Sequence, residues 1–399
     1  MNSLYNGPYM KISKGITIEK RLIQESLNER ERKALHLLFS NQRSDEEILD
    51  VLEGLDPDTE DISFLLLLSM LGYSCAWKGF PERIIPRLKG IHRYYQVDNA
   101  MKFTWLCGIL GGLEKAGIRA MLIKGGAMYV HYRQSSPRIM SDFDVSVPAD
   151  RFEEACALVE SYGCIKGDTA AWSAEYKAEI HGRTARLDLH CRMFKNGETA
   201  DAGIRERAVQ TEFRGMKLWI PSAEDMFIHL MDNQIRNLFH DEYRNRRTKW
   251  FFDCLSMINV CPDILDAGRL RKQADMFHNR NYIRLALRMF SAWFPEIVSA
   301  EAVEKCFPAD DAYWAWLCDG MEYRKRYNAV AGFEQGGGLP PKRVYLSARR
   351  WIQEYRFMAP EFKEQFGKMS FVDFFCHQTG CRDAAEALKR YLPRLRLKG

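Results

Sequence analysis

The sequence predicts an α+β fold in which a small mixed sheet is flanked by two helical regions. Apolar residues recur at helical spacing over residues 18–90, and again over most of the chain that follows residue 221. Between these regions, short apolar runs alternate with helical segments and glycine-containing turns. We therefore expect an N-terminal helical region at 1–100, an α/β core at 101–220 and a C-terminal helical region at 221–399.

Composition bounds the class of protein. The 399 residues exceed the size of one small domain, and 46% hydrophobic content is enough to form more than one core. The net charge of +5 is too small to indicate a nucleic-acid partner. Eleven cysteines without regular spacing, in a chain whose start has no secretory-signal pattern, favour reduced thiols and a cytoplasmic location. The most apolar run, residues 62–71, is shorter than the roughly 20 residues of a membrane span, so we expect a buried helix and no membrane association.

The predicted core begins with a helix that starts near Val97 and ends at Ala116-Gly117. The elements expected next are a strand at 120–123, a Gly125-Gly126 turn, a helix at 127–132, a strand at 143–147 and a helix at 150–162 that Asp150 caps. The antiparallel strands expected after them are 164–166, 174–180, 184–190 and 217–220, with a turn at His181-Gly182. Ser222 is predicted to cap the next helix together with Asp225, and residues 332–341 have the composition of a loop.

Two of these strands, at 143–147 and 184–190, carry acidic residues that could form a cluster. Side chains alternate between the faces of a strand, so Asp142 and Asp144 share one face. The same alternation places Asp188 and His190 on one face of the later strand. If the two strands are neighbours, Asp188 completes a cluster of three carboxylates. Without a cation, three such carboxylates repel one another and their pKa values rise until some are protonated. A divalent cation removes this conflict, and oxygen ligands suit Mg²⁺ or Mn²⁺.

The Lys124-Gly125-Gly126 turn is a candidate phosphate site. Glycines let backbone N–H groups approach a phosphate closely, and the helix that follows directs its N-terminus towards the same point. Lys124 and Arg138 add positive charge. A Walker motif is absent, because Lys124 precedes its glycines, and no dinucleotide-binding glycine fingerprint occurs.

Other features keep two interpretations open. His190 and His229 either orient a carboxylate or contact substrate, or they are hydrogen-bonded structural histidines. The basic run before Trp250 and the basic C-terminal tail either bind an anionic acceptor or are solvated helix faces. The residues concerned are Arg244, Arg246, Arg247 and Lys249 in the run, and Lys389, Arg390, Arg394, Arg396 and Lys398 in the tail.

The order of strand, glycine pair, helix, Asp-x-Asp strand and later aspartate resembles the nucleotidyltransferase superfamily related to DNA polymerase β. In detail the chain resembles an uncharacterised bacterial nucleotidyltransferase family with a Lys-Gly pair in its phosphate turn. The segments that carry the resemblance are Leu122-Ile123-Lys124-Gly125-Gly126-Ala127, Arg138-Ile139-Met140-Ser141-Asp142-Phe143-Asp144 and Leu187-Asp188-Leu189-His190, with His229 and Trp250-Phe251-Phe252-Asp253 after them. The resemblance covers residues 105–255.

The resemblance implies a polymerase-β-like core that transfers a nucleoside monophosphate from an NTP to an acceptor and releases pyrophosphate. Asp142 and Asp144 would hold two metal ions, and Asp188 would hold the catalytic ion and help deprotonate the acceptor. The implied phosphate-binding residues are Lys124, Gly125, Gly126, Arg138 and Ser141. Many superfamily members have serine where this chain has Gly126, so Lys124 or Arg138 must compensate. The acceptor is a small molecule, a protein or RNA, and the alternative is a catalytically degenerate nucleotide-binding or regulatory protein.

Overall fold

The computed structural model describes residues 8–40, 42–131, 138–170, 172–193, 198–239, 247–335, 349–358, 370–379, 383 and 385–386. These residues form two compact units. The sheet unit comprises the described parts of Leu27–Leu230 and Asn245–Leu270, and the helical unit comprises those of Met1–Ser26, Met231–Arg244 and Arg271–Gly399. The three-part division that the sequence predicts, with boundaries after residues 100 and 220, stays a prediction.

Helices and strands alternate only in the middle of the chain, which makes this a mixed α+β fold. The helices are α1 (Pro8–Ser26), α2 (Glu29–Phe39), α3 (Asp45–Leu52), α4 (Ile62–Ser74), α5 (Ile85–Lys115), α6 (Lys124–His131), α7 (Phe152–Ser161), α8 (Glu198–Arg207), α9 (Ala223–Leu238), α10 (Arg247–Val260), α11 (Ala267–Met276), α12 (Arg280–Trp293), α13 (Ala300–Cys306), α14 (Asp311–Gln335), α15 (349–358) and α16 (Phe371–Thr379). The strands are β1 (Met121–Ile123), β2 (Phe143–Ser146), β3 (Ile165–Ala170), β4 (Ser173–Ile180), β5 (Arg183–His190), β6 (Val209–Phe213) and β7 (Met216–Ile220).

The N-terminal helices begin where local sequence satisfies their free N–H groups. Asn28 forms a capping box with Glu31 at the start of α2, and Ser44 forms one with Glu47 at the start of α3. Asp61 accepts hydrogen bonds from two backbone N–H groups of α4. Helix α4 is apolar on nearly all sides and most of it is buried, as expected for residues 62–71.

Helix α5 is longer than the sequence predicts, because it begins at Ile85 and not near Val97. Proline in its first turn suits a helix start, since the first N–H groups have no partner within the helix. Gly90 faces open space and does not interrupt the helix. The predicted end at Ala116-Gly117 is confirmed, and Gly117 has the left-handed φ of +70° that favours glycine.

The sheet of the sheet unit has the strand order β3-β4-β5-β2-β1-β7-β6. Strand β2 pairs parallel with β5 and antiparallel with β1, and β1 pairs parallel with β7, so the sheet is mixed as predicted. Edge strand β6 is not predicted from the sequence, because its run lacks apolar alternation and its first residue, Val209, is 50% exposed. The predicted hairpin turn is confirmed, with φ of +49° at His181 and +74° at Gly182. This turn sets the register of β4 against β5.

Three further predicted features are wrong. Helix α6 begins at Lys124, which itself has a left-handed φ of +47°, so Gly125 and Gly126 lie in the first helical turn and not in a separate turn. Asp150 does not cap α7, because residues Ala149–Arg151 form a 3-10 turn after Pro148 and the α-helix follows from Phe152 without a side-chain cap. The loop predicted at 332–341 begins inside α14, which continues to Gln335, and residues 336–341 lie outside the described residues.

The helical unit is held by aromatic packing and buried polar contacts. Tyr313 of α14 donates a hydrogen bond of 2.6 Å to Glu19 of α1. Trp316 packs against Tyr282 and Phe357 in the same unit. Across the described parts of both units, no helix combines the length and apolarity needed to cross a membrane, and the ten described cysteines are all free thiols.

Candidate active site

Asp144 and Asp188 lie side by side at the centre of the sheet. In the parallel pairing of β2 with β5, Asp144 is opposite Asp188 and Ser146 is opposite His190. Alternation then puts the two carboxylates and the imidazole on one face. One ligand atom from each of Asp144, Asp188 and His190 lies within 4.8 Å of the other two. The strand neighbourhood that the sequence prediction required is therefore present.

Asp142 borders this group but is not part of it. The residue precedes β2, and its Oδ1 accepts a hydrogen bond of 2.8 Å from the exposed Ser141 hydroxyl. Its carboxylate is nevertheless close enough to raise the pKa of Asp188. Among the described residues, the group of three possible metal ligands consists of Asp144, Asp188 and His190. The sequence predicted Asp142 in the position that His190 has in this group.

Lys124 supplies the positive charge of the site. Antiparallel pairing sets Ile123 at the end of β1 opposite Asp144, and the left-handed turn at Lys124 brings its ammonium onto Asp144 Oδ1 in an ion pair. Burial alone would lower the pKa of Lys124, but the Asp144 carboxylate outweighs burial and raises it. Lys124 therefore stays protonated and neutralises part of the acidic cluster.

The two facing carboxylates have opposite pKa shifts. Burial raises the pKa of Asp144, but Lys124 and the His190 hydrogen bond outweigh it and hold that pKa well below its usual range. Burial raises the pKa of Asp188 to about 7, and the charges of Asp144 and Asp142 act in the same direction. Asp144 is thus a permanent carboxylate, whereas Asp188 exchanges its proton near neutral pH.

His190 and His229 are neutral groups at the edge of this charge cluster. The Nε2 atom of His190 lies 2.9 Å from Asp144 Oδ1, and burial together with Lys124 lowers the pKa of His190. His229, on α9, is 3% exposed, and burial and the charge of Lys124 lower its pKa to about 3. The backbone of Met193 forms a hydrogen bond with His229 that acts in the opposite direction on this pKa. His190 therefore lies within hydrogen-bonding distance of a site carboxylate and His229 is buried near the same charges, while the two interpretations of these histidines stay predictions.

A divalent cation fits this donor set. Ligands on one Mg²⁺ or Mn²⁺ are separated by about 3–4 Å when each bond is about 2.1 Å long. The donor atoms of Asp144, Asp188 and His190 are within 4.8 Å of one another, so small side-chain rotations suffice to bring them onto one ion. Lys124 already contacts the Asp144 oxygen, which shows that a cation is compatible with this position.

The two glycines of α6 lie against close neighbours, and Gly125 lies against the closer of them. A Cβ atom at Gly125 would collide with Nη1 of Arg138, and one at Gly126 would lie 3.0 Å from Leu122 Cδ2. The first turn of α6 is therefore packed on the side chains of Arg138 and Leu122. Bare backbone N–H groups at a helix N-terminus still suit an anion.

Arg138 has a buried partner that the sequence did not predict. Its Nη2 atom donates to Asp253 Oδ2 of α10 over 2.6 Å, and both side chains are less than a tenth exposed. The guanidinium therefore shares its charge with Asp253, whereas the sequence prediction assigned it to phosphate. No local signal links these two residues, which are 115 positions apart.

The segment at residues 138–140 is also fixed through its carbonyl groups. Asn99 of α5 donates to Arg138 O over 2.5 Å, Lys249 of α10 donates to Ile139 O over 2.9 Å, and Lys102 of α5 donates to Met140 O over 3.4 Å. Together these bonds hold the chain that leads into Asp142. Lys249 of the basic run therefore contacts the protein's own backbone, while Arg244, Arg246 and the tail lie outside the described residues.

Comparisons with known proteins bear on the identity of this site. No curated protein matches the chain. Among solved structures, an antigenic nucleotidyltransferase-like protein from Paracoccidioides brasiliensis matches with a TM-score of 0.33 and 15% identity, over 49% of this chain and 97% of that chain. This likeness is too weak to define the fold. A family model described as "Uncharacterised nucleotidyltransferase" matches residues 66–295, which include every site residue named above. Because that match covers more than half of the chain, the protein belongs to this family of uncharacterised nucleotidyltransferases.

Proposed function

We propose that the protein is a metal-dependent nucleotidyltransferase that moves a nucleoside monophosphate from an NTP to an acceptor hydroxyl or phosphate. The observation that carries the proposal is the pairing of Asp144 with Asp188 next to Lys124 and the N-terminus of α6. Carboxylates that hold a cation and a helix start that accepts an anion are the two parts that phosphoryl transfer needs.

Asp142, Asp144 and Asp188 would hold Mg²⁺ or Mn²⁺. A divalent ion bound there supplies charge neutralisation at the phosphate oxygens in the transition state. Of the three acids, Asp144 is best suited to be a constant ligand, because its pKa lies well below neutral. Asp142, with its carboxylate oriented by Ser141, extends the acidic surface towards the start of β2.

Lys124 and the first turn of α6 would bind the triphosphate. The Lys124 ammonium pairs with Asp144, so a triphosphate that arrives with its cation offers it a second anionic partner. The N–H groups of Gly125 and Gly126 lie in the first turn of the same helix. Since Gly126 has no hydroxyl, Lys124 would carry the contact that a serine makes elsewhere in the superfamily.

Asp188 would act as the base. Its pKa is about 7 in the protein without a cation, and a cation held by the same cluster would keep the carboxylate deprotonated and able to take up the acceptor's proton. In the transfer reaction, the acceptor oxygen bonds to the α-phosphorus and its proton passes to Asp188. The bond from the α-phosphorus to the α–β bridging oxygen breaks, and pyrophosphate leaves.

The test is a screen for pyrophosphate release with the full chain. Each of the four NTPs is incubated with Mg²⁺ or Mn²⁺ and with small-molecule, protein and RNA acceptors. We expect release with at least one combination, and loss of release in Asp144→Asn and Asp188→Asn. Asp150→Asn, an exposed acid on the 3-10 turn, is the matched control and keeps the activity. Absence of release with every acceptor, together with absence of NTP binding in calorimetry, would refute the proposal. NTP binding without release would favour the degenerate nucleotide-binding alternative.

A further inference from the structure

The last residue of β5 is a histidine whose ring nitrogen reaches the most acidic carboxylate of the site. His190 follows Asp188 by two positions and therefore lies on the same face of the strand. Its partner across the ladder is Ser146, two positions after Asp144, and the His190 Nε2 atom lies 2.9 Å from Asp144 Oδ1. The side chain is only 16% exposed, so its orientation is restricted by its surroundings.

We propose that His190 is a ligand of the metal ion, and that this nitrogen makes the site select Mn²⁺ over Mg²⁺. The inference rests on the proposed function, since it concerns the ion that the nucleotidyltransferase site would hold. It goes beyond that function by assigning a ligand outside the three aspartates and by choosing between the two ions.

Geometry supports a ligand role for His190. Donor atoms of Asp144, Asp188 and His190 form the one such group of three among the described residues, whereas Asp142 lies outside it. Any ion that contacts Asp144 Oδ1 enters the space that Lys124 and His190 Nε2 now border. Lys124 has a long side chain that can turn to the triphosphate, whereas the His190 imidazole, 16% exposed at the end of β5, is restricted in its orientation. In the metal-free protein, His190 Nε2–H donates to the Asp144 carboxylate. When an ion takes that place on Asp144, the neutral ring adopts its other tautomer, with the proton on Nδ1 and the Nε2 lone pair towards the ion.

Ligand chemistry supports the choice of Mn²⁺. Mg²⁺ takes oxygen ligands almost exclusively and tolerates little distortion from an octahedron. Imidazole nitrogen binds first-row transition ions better, while the two carboxylates remain good ligands for Mn²⁺. Two carboxylates and one imidazole therefore favour Mn²⁺ over Mg²⁺ in affinity.

The direct test is pulsed electron paramagnetic resonance of Mn²⁺ bound to the full chain, which detects nitrogen nuclei in the first coordination sphere. We expect ¹⁴N coupling in the wild type and its replacement by a ¹⁵N signal when histidine is ¹⁵N-labelled. Coupling should disappear in His190→Gln. The control is His181→Asn in the turn of the same hairpin, where the left-handed φ of +49° suits asparagine and where coupling should persist.

Calorimetry with Mn²⁺ and Mg²⁺ gives a second readout. Replacing the nitrogen with an oxygen ligand in His190→Asp should lower the ratio of Mn²⁺ to Mg²⁺ affinity by about tenfold. This variant retains three possible ligands, so it keeps the inference testable if His190→Gln binds no ion. Circular dichroism confirms that both variants are folded.

Each outcome separates the inference from the proposed function. Bound Mn²⁺ without nitrogen coupling, coupling that persists in His190→Gln, or a failure of the wild type to bind Mn²⁺ would overturn the role of His190. Pyrophosphate release under those conditions would leave the nucleotidyltransferase proposal standing. Conversely, nitrogen coupling without pyrophosphate release would support His190 as a ligand while the enzymatic proposal fails.

Discussion

Asp144 and Asp188 face each other across two parallel strands, yet their pKa values shift in opposite directions. Lys124 and His190 both contact the Asp144 carboxylate, so its charge is compensated. None of the hydrogen bonds given above for the site involves Asp188. In addition, the negative charges of Asp142 and Asp144 repel its carboxylate and raise its pKa. One carboxylate is thus stabilised in the charged form and the other is destabilised, which has consequences for stability, metal binding and pH dependence.

Asp188→Asn should stabilise the metal-free protein more at pH 8 than at pH 5. Because the folded-state pKa is about 7 and the ordinary pKa of an aspartate is 3.8, folded Asp188 keeps a proton that the unfolded chain releases between these values. Stability therefore falls as the pH rises through this window, and the amide removes that penalty. After allowance for solvent screening we expect a gain of roughly 1–3 kcal/mol at pH 8.

Urea unfolding of both proteins at the two pH values measures this difference. Addition of Mn²⁺ at pH 8 should make the wild type more stable than Asp188→Asn, since only the wild type has the Asp188 carboxylate to bind the ion. An equal gain at pH 5 and pH 8 would show that Asp188 does not titrate in this range.

Lys124→Met should raise the affinity for Mn²⁺ in the absence of nucleotide and weaken NTP binding. The ammonium competes with a metal ion for Asp144 Oδ1, so its removal leaves the carboxylate free for the ion. The triphosphate, by contrast, loses a positive partner, for which we expect at least about a tenfold loss of affinity. Calorimetric titration measures both constants, and Lys177→Met on the exposed side of β4 is the control. Weaker Mn²⁺ binding in Lys124→Met would contradict competition at this carboxylate.

Gly125→Ala should destabilise the protein by about 1–3 kcal/mol. The new Cβ atom collides with the Arg138 guanidinium, which is held by Asp253 and cannot move away freely. Gly90→Ala is the matched control, because that helical glycine faces open space and its replacement should stabilise the protein slightly. Chemical denaturation compares the two variants. The argument fails if both alanines have the same effect.

Asp253→Asn should cost about 3–5 kcal/mol of stability, because it leaves the buried Arg138 charge without a counter-ion. The double variant Arg138→Met/Asp253→Leu removes both charges and should recover part of the loss. Denaturant unfolding of the single and double variants measures the coupling. If Asp253→Asn is as stable as the wild type, the Arg138–Asp253 ion pair does not contribute to the stability of the fold.

The sequence by itself determined the elements of the site. Alternation along a strand has a period of two, so it placed Asp188 and His190 on a common face before any contact was known. Local turn chemistry at His181-Gly182 and at Ala116-Gly117 likewise depends on neighbouring residues alone and was predicted correctly. The expectation of a divalent metal followed from the same short-range alternation.

Only the tertiary structure decided how these elements meet. That β2 pairs with β5 depends on strand order, which no local pattern encodes. The burial of Arg138 against Asp253, the start of α6 at Lys124 and the position of His190 in the tightest triad all arise from packing between segments distant in sequence. Charges separated by many residues interact only once the chain has brought them together in a medium of low dielectric. For that reason the contacts of Lys124, Arg138 and His190 are decided only when folding has fixed their neighbours.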